Sequence, residues 1–219
     1  MTLTFTNSWF EQSAKNVWDV IIPQLKVKTI LEIGSYEGKS LCYLIDHFGD
    51  DSDLEIHSVD TWEGGKDHVS PKINAMNPMS EVEARFHQNT SEAIASASCK
   101  IDLRVHKGSS DMMLADLLCG GPSAGGVSHF EYFDFIYVDG SHETTDTLCD
   151  LVLSMRMLKK GGMMIVDDYL WYIDAQDNFR PKLAIDAFVN LHFHQMNIIN
   201  APNFQVYLVK RTGPVEAMK

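Results

Sequence analysis

The chain has 219 residues, 45% of them hydrophobic, as expected of a folded globular protein and not of a disordered one. Its 18 basic residues against 30 acidic ones leave a net charge of −12. A surface that acidic repels phosphate backbones, which excludes nucleic acid as the expected partner and favours a small neutral or cationic substrate, or a metal cation. No apolar run reaches the length of a membrane span, and the N-terminus lacks the basic and apolar regions of a signal peptide. Cys42, Cys99, Cys119 and Cys149 show no CxxC spacing and read as buried or half-buried thiols. The expectation is a cytoplasmic protein with no membrane partner.

In chain order, residues 1–25 form an N-terminal helical segment, with an amphipathic helix over 8–22 that Pro23 stops. The first strand is 28-KTILEIG-34, followed by a helix over 38–49 that places Leu41, Leu44, Ile45 and Phe48 on one face. A strand at 54–60 leads into 61–80, an irregular stretch with Trp62, Gly64, Gly65, Pro71 and Pro78 that is large enough to be a lid. Next come a helix over 80–97, a strand at 101–107, a helix over 109–118 and a glycine-rich insertion at 119–129. A strand at 133–139, a helix over 143–158, a strand at 162–168 and a core helix over 181–194 follow. Two final strands, 196–200 and 204–210, are joined by Ala201, Pro202 and Asn203, a turn short enough to make them antiparallel. Strand–helix alternation predicts an α/β, Rossmann-like, doubly wound sheet, mostly parallel with a C-terminal antiparallel strand, in one domain spanning 1–219.

The stretch 30-ILEIGSYEGKSLCYL-44 is a strand, a glycine-punctuated turn and a helix N-terminus. Gly34 and Gly38 allow a tight turn and close approach of a ligand. Glu32 and Glu37 flank this turn, and carboxylates there repel a pyrophosphate; a ligand carrying positive charge, such as a sulfonium with an amino group, suits the loop better. The pattern E-x-G-x-x-x-G also departs from the dinucleotide fingerprint, which disfavours a dehydrogenase. Taken alone, the loop reads equally well as a structural turn. Asp60 lies 22 residues beyond Gly38, near the spacing of about 20 at which a carboxylate meets ribose hydroxyls. Ser109 and Ser110 suit an adenine edge or a helix cap, and capping is the stronger reading for either alone.

The motifs ILEIGSYEGKS, SVDTWEGG, VHKGSS, FIYVDGSHE and LKKGGMMIVDDY, in this order, resemble those of class I S-adenosylmethionine-dependent methyltransferases. The resemblance spans residues 28–210. It extends to the metal-dependent small-molecule O-methyltransferases of the catechol and sugar or macrolide-tailoring types, through VDGSH followed by GGxxxxDDY. It implies the seven-stranded methyltransferase fold with S-adenosylmethionine as cofactor. The implied cofactor contacts are Glu32, Gly34, Ser35, Tyr36, Glu37, Ser40, Asp60, Thr61, Trp62, Gly108, Ser109, Ser110 and Asp139. Trp62 either lies against the adenine or packs on the core as a lid residue.

In a parallel sheet the carboxyl ends of the strands line one edge, where ligands bind. Asp139 closes one strand, and Asp167 and Asp168 close the next. Three such acids raise one another's pKa values, a penalty that a divalent cation removes; oxygen-only ligation points to Mg2+, with Mn2+ or Ca2+ as alternatives. Asp139, Asp167 and Asp168 are therefore the expected metal ligands. His142, three residues past Asp139, occupies the position of the family's general base, which is lysine in some members and histidine in others. A lone aspartate or histidine there would only cap or brace a loop. Tyr169, Trp171 and Tyr172 fit an apolar wall for a small-molecule hydroxyl acceptor, or core or homodimer contacts. The readings that compete with a metal-dependent O-methyltransferase are a metal-independent N- or O-methyltransferase and a non-catalytic S-adenosylmethionine-binding protein.

Overall fold

The computed structural model describes residues 3–65, 77–171, 176, 179–202 and 204–213. The centre of the predicted lid (66–76), Tyr172 and Asn203 lie outside the described residues. Seven strands make one sheet in the order β3-β2-β1-β4-β5-β7-β6. They are β1 (Thr29–Ile33), β2 (Leu54–Asp60), β3 (Ile101–Lys107), β4 (Phe133–Val138), β5 (Leu158–Val166), β6 (Met196–Ile199) and β7 (Val206–Lys210). The helices are α1 (Trp9–Ser13), α2 (Lys15–Ile21), α3 (Lys39–Phe48), α4 (Met79–Ser96), α5 (Ser110–Cys119), α6 (Thr144–Met157) and α7 (Pro181–His192). The chain packs as two compact units, residues 1–109 and 110–219.

In the first unit β1, β2 and β3 are parallel, and Glu32 stands in register with Ser58. The strand interiors are apolar and buried, with Ile30, Leu31, Ile33, Ile56 and Val59 almost without exposed surface. The predicted stripe of α3 is also buried: Leu41, Leu44, Ile45 and Phe48 all lie in the core. The predicted N-terminal helix is broken at Ala14, which ends α1 and begins α2. The break brings Phe10 and the fully buried Trp18 edge to face at 5.1 Å, and both rings meet Tyr43 of α3. One continuous helix would turn positions eight apart about 80° from each other. Where β2 and β3 bury polar groups, they pair them: His57 Nδ1 lies 3.0 Å from His106 Nε2, and His57 Nε2 lies 3.0 Å from Glu55.

In the second unit β4 and β5 are parallel, whereas β7 runs antiparallel to both β5 and β6. Strand β5 begins at Leu158, four residues before its predicted start at Gly162. Phe133 pairs with Leu158 but Phe135 pairs with Met163, so Lys159–Gly162 bulge out of the ladder. Gly161 makes the bulge possible with φ 82, and a side chain on Gly162 would strike Leu158 and two carbonyl oxygens. The connection from β6 to β7 is also longer than predicted, because β7 starts at Val206 and not at residue 204. Phe204 uses its carbonyl to accept from the Tyr169 N–H at 3.0 Å, and Gln205 turns inward to Asp167.

Gly38 shows what the turn before α3 requires. Its φ is 77, and a Cβ there would stand 3.0 Å from Phe86 and 3.1 Å from Thr90. Gly125 has a similar φ of 63 but open space around it. In denaturant titrations Gly125→Ala should cost about 1 kcal/mol, the strain of a left-handed alanine alone. Gly38→Ala should cost at least about 2 kcal/mol, since steric crowding adds to the same strain. Equal costs would show that Phe86 and Thr90 do not hold the turn.

Candidate functional site

Two carboxylates organise the glycine turn of the first unit. Glu32 has no exposed surface. One of its oxygens accepts from Ser35 Oγ at 2.5 Å and the other from Ser40 Oγ, and Ser35 Oγ also meets Ser58 Oγ at 2.7 Å. Burial outweighs those hydrogen bonds and pushes the Glu32 carboxyl up to about 7, with Asp60 adding repulsion. Glu32 therefore shapes the loop by drawing Ser35 and Ser40 inward. Asp60, half-buried at the end of β2, holds the outer side of the loop. Its Oδ2 accepts the Ser35 and Tyr36 N–H groups at 2.8 and 2.9 Å, and its Oδ1 accepts the Trp62 N–H at 2.7 Å. Gly34 (φ 81), Tyr36 (φ 47) and Gly38 (φ 77) are all left-handed, the conformation that aims successive N–H groups to one side.

Trp62 is only 4% exposed, and its ring lies against Phe86 and His87. Its indole N–H donates to the Tyr36 carbonyl at 3.0 Å. This geometry supports the packing reading of Trp62 over the adenine reading. Glu37 is buried as well, but it faces Thr6 and Arg85. Gly108 donates its N–H to the Asp60 carbonyl at 3.0 Å, so β3 exits beside β2. Thr61 is half-buried, Ser109 is exposed and Ser110 opens α5.

In the second unit the acidic residues gather around a phenol that the sequence reading passed over. Tyr137 of β4 is buried, and its hydroxyl donates to Asp139 Oδ2 at 3.1 Å and to Asp167 Oδ2. Burial first, and then Asp139, Asp167 and Asp168, keep that phenol protonated far above its ordinary range. Gln205 donates to Asp167 Oδ2 at 3.0 Å and is held in turn by the Tyr207 hydroxyl at 2.6 Å. Burial and the neighbouring Asp168 push the Asp167 carboxyl up to about 6. Asp168 is left-handed at φ 61, and its Oδ2 lies 2.7 Å from His142 Nε2. Ser141 braces the loop by donating to Asp146 at 2.9 Å, and the ring of Trp171, 40% exposed, stands 5.2 Å from that of His142. Tyr169 instead anchors α7: its hydroxyl donates to Asp186 and accepts from Lys182.

Asp139 and Asp167 meet at the Tyr137 hydroxyl, and Asp168, next in the chain to Asp167, meets His142. The donor set, three carboxylates, is that of a hard divalent cation. In the conformation described, the Tyr137 hydroxyl links Asp139 to Asp167, and no three of the four residues bring ligand atoms within 4.8 Å of one another. Tyr137 had a legible signal: it lies two residues before Asp139, on the same face of its strand. Gln205 had none, because only the strand pairing brings it to Asp167.

Residues 31–169 match the family described as a methyltransferase domain, and the chain belongs to that family. It is an S-adenosylmethionine-dependent methyltransferase. Solved structures with the same fold include the O-methyltransferase from Bacillus cereus in complex with S-adenosylhomocysteine, at 15% identity and a TM-score of 0.59, covering 95% of this chain and 84% of that one. TomG from Streptomyces achromogenes, an O-methyltransferase of tomaymycin synthesis solved with S-adenosylmethionine, is 15% identical with a TM-score of 0.58, covering 95% and 82%. The O-methyltransferase NovP is 18% identical with a TM-score of 0.56, covering 93% and 79%. No curated protein sequence matches the chain. No helix among the described residues is long and apolar enough to cross a membrane.

The raised pKa of Glu32 has a consequence for stability. Its folded value of about 7 lies above the ordinary 4.5, so the folded state binds this proton more tightly than the unfolded state does. The stability cost of ionising it is absent below about 4.5, grows as pH rises and is complete above about 7. Glu32→Gln should match the wild type at pH 4 and gain on it by roughly 3 kcal/mol by pH 8. Denaturation curves at both pH values check this, and a constant difference would contradict it.

Proposed function

We propose that this methyltransferase transfers its methyl group to a hydroxyl of a small molecule, with His142 as the general base and a divalent cation held by Asp139, Asp167 and Asp168. The observation that carries the reading is the His142 Nε2 to Asp168 Oδ2 contact of 2.7 Å, set beside two further carboxylates. A hydroxyl must lose its proton to attack a sulfonium methyl, and alcohols are too weakly acidic to do so unaided at neutral pH. His142 takes that proton at its other ring nitrogen, Nδ1, while its Nε2 donates to the Asp168 carboxylate, which stabilises the imidazolium that results. The hydroxyl oxygen bonds to the methyl carbon as the carbon–sulfur bond breaks, leaving the methyl ether and S-adenosylhomocysteine. When bound, Mg2+, or Mn2+ or Ca2+ in its place, supplies a Lewis acid that lowers the pKa of the acceptor hydroxyl.

Asp60 is the proposed ribose-binding carboxylate, on a loop held from inside by Glu32. Trp171 supplies an apolar surface near the base, fitting a sugar, polyol, catechol or natural-product ring. The O-methyltransferases of the same fold support the choice of oxygen over nitrogen. The net charge of −12 supports a small acceptor over a nucleic acid. A cytoplasmic location fits the four free cysteines.

One observation favours a metal-independent reading. The Tyr137 hydroxyl already bridges Asp139 and Asp167 and relieves the repulsion that would otherwise call for a cation. Methyl transfer to a panel of vicinal diols, sugars and catechols, with and without EDTA, separates the two. The metal-dependent reading expects chelation and Asp168→Ala each to lower turnover by a factor of about 100 or more, with restoration by Mg2+ after chelation only in the wild type. His142→Ala should lose a similar factor in either case. Turnover indifferent to EDTA would overturn the metal, and a His142→Ala enzyme at full rate would overturn the base.

A further inference from the structure

The glycine loop is tied to two segments outside the strand–turn–helix unit that no motif covers. Glu37, 1% exposed, accepts from the Thr6 N–H at 2.8 Å, the Thr6 hydroxyl at 2.7 Å and Arg85 Nε at 2.6 Å. Arg85, on α4, turns a second edge of its guanidinium to Asn77 Oδ1. The Asn77 amide then donates to the Tyr36 hydroxyl at 2.6 Å and to Thr6 Oγ1 at 3.2 Å. Asn89, also on α4, donates to the Glu37 carbonyl at 3.0 Å and exchanges two hydrogen bonds with Thr4. The ring of Trp9 lies 5.4 Å from that of Tyr36.

Tyr36 stands at the centre of these contacts, touched directly by Asn77 and Trp9. Tyr36 is left-handed at φ 47, a conformation a tyrosine rarely adopts and one that must be imposed from outside. Its carbonyl is held by Trp62 and its hydroxyl by Asn77, while its N–H reaches Asp60 Oδ2. If φ relaxed to an extended value, that N–H would swing away and Asp60 would lose one of the donors that orient it. A guanidinium suits the hub because its planar fork serves a carboxylate and an amide oxygen at once, whereas an ammonium is a single point charge.

We propose that Arg85 is a positioning residue for the cofactor loop: through Glu37 and Asn77 it holds Tyr36 left-handed and so orients Asp60 for the ribose hydroxyls. The inference rests on the reading of Asp60 as the ribose-binding carboxylate. Arg85 reaches the cofactor only through the loop, so its loss acts on cofactor affinity before it acts on the fold.

Calorimetric titration of the full chain with S-adenosylhomocysteine tests this, alongside thermal melts. Arg85→Lys keeps a charge opposite Glu37 but cannot span to Asn77. Tyr36→Phe removes the hydroxyl that Asn77 grips and leaves the Glu37 pair intact. Each should weaken binding about tenfold, the size of one lost oriented hydrogen bond, and the double variant should lose little more than either alone. Melting temperatures of Tyr36→Phe should stay within a few degrees of the wild type. Unchanged affinity in both single variants, whatever their melting temperatures, would overturn the proposal. Asp60→Asn is the control for the underlying reading. If it weakens binding while Arg85→Lys and Tyr36→Phe do not, only the positioning role fails. If Asp60→Asn binds as the wild type does, the ribose reading itself fails.

Discussion

A carboxylate with no exposed surface, Glu32 at the end of β1, is the constraint on which the first unit depends. Buried charge must be satisfied by the chain or neutralised, and here both happen. Ser35 and Ser40 supply the hydrogen bonds, and burial raises the carboxyl to about 7. Drawing those two serines inward closes the loop in one way only. Gly34 and Gly38 turn left-handed, α3 begins at Lys39, and the Ser35 and Tyr36 N–H groups face outward onto Asp60. The carboxylate that forms the loop is thus distinct from the carboxylate proposed to meet the ligand. The energetic strain of the first is consistent with a site kept for function.

The second unit solves a similar problem with a phenol. Asp139, Asp167 and Asp168 stand at the ends of adjacent parallel strands and repel one another. Tyr137 bridges two of them and Gln205 takes up the remaining demand at Asp167. Nε2 of His142 lies 2.7 Å from Asp168 Oδ2. A cation or a positively charged group entering among the acids would lower the raised pKa of Asp167.

Much of this was legible in the sequence, and the reasons are local. Strands β2 and β3 begin and end where their apolar runs do, because turn residues bound them on both sides. The placement of Asp139 and Asp167 was legible because each immediately follows an apolar strand, and parallel topology brings such ends together. What escaped depends on tertiary contact. The break at Ala14 carries no proline or glycine; it accompanies the contacts that Phe10 and Trp18 both make with Tyr43. The bulge in β5 was hidden because Lys159 and Lys160 look like a helix end. Glu37 sits in the glycine motif yet turns to Thr6 and Arg85, and no spacing rule points to a partner 48 residues away.

The proposed roles are separable: Asp60 with its loop is proposed to hold the cofactor, and Asp139, Asp167 and Asp168 to serve the acceptor. Titration of S-adenosylmethionine into Asp60→Ala and Asp167→Asn variants tests this most directly. The account predicts that Asp60→Ala loses at least about tenfold in affinity. Asp167→Asn should bind S-adenosylmethionine as the wild type does while failing to turn over any acceptor. Undiminished binding by Asp60→Ala, or equal losses of binding in the two variants, would contradict it.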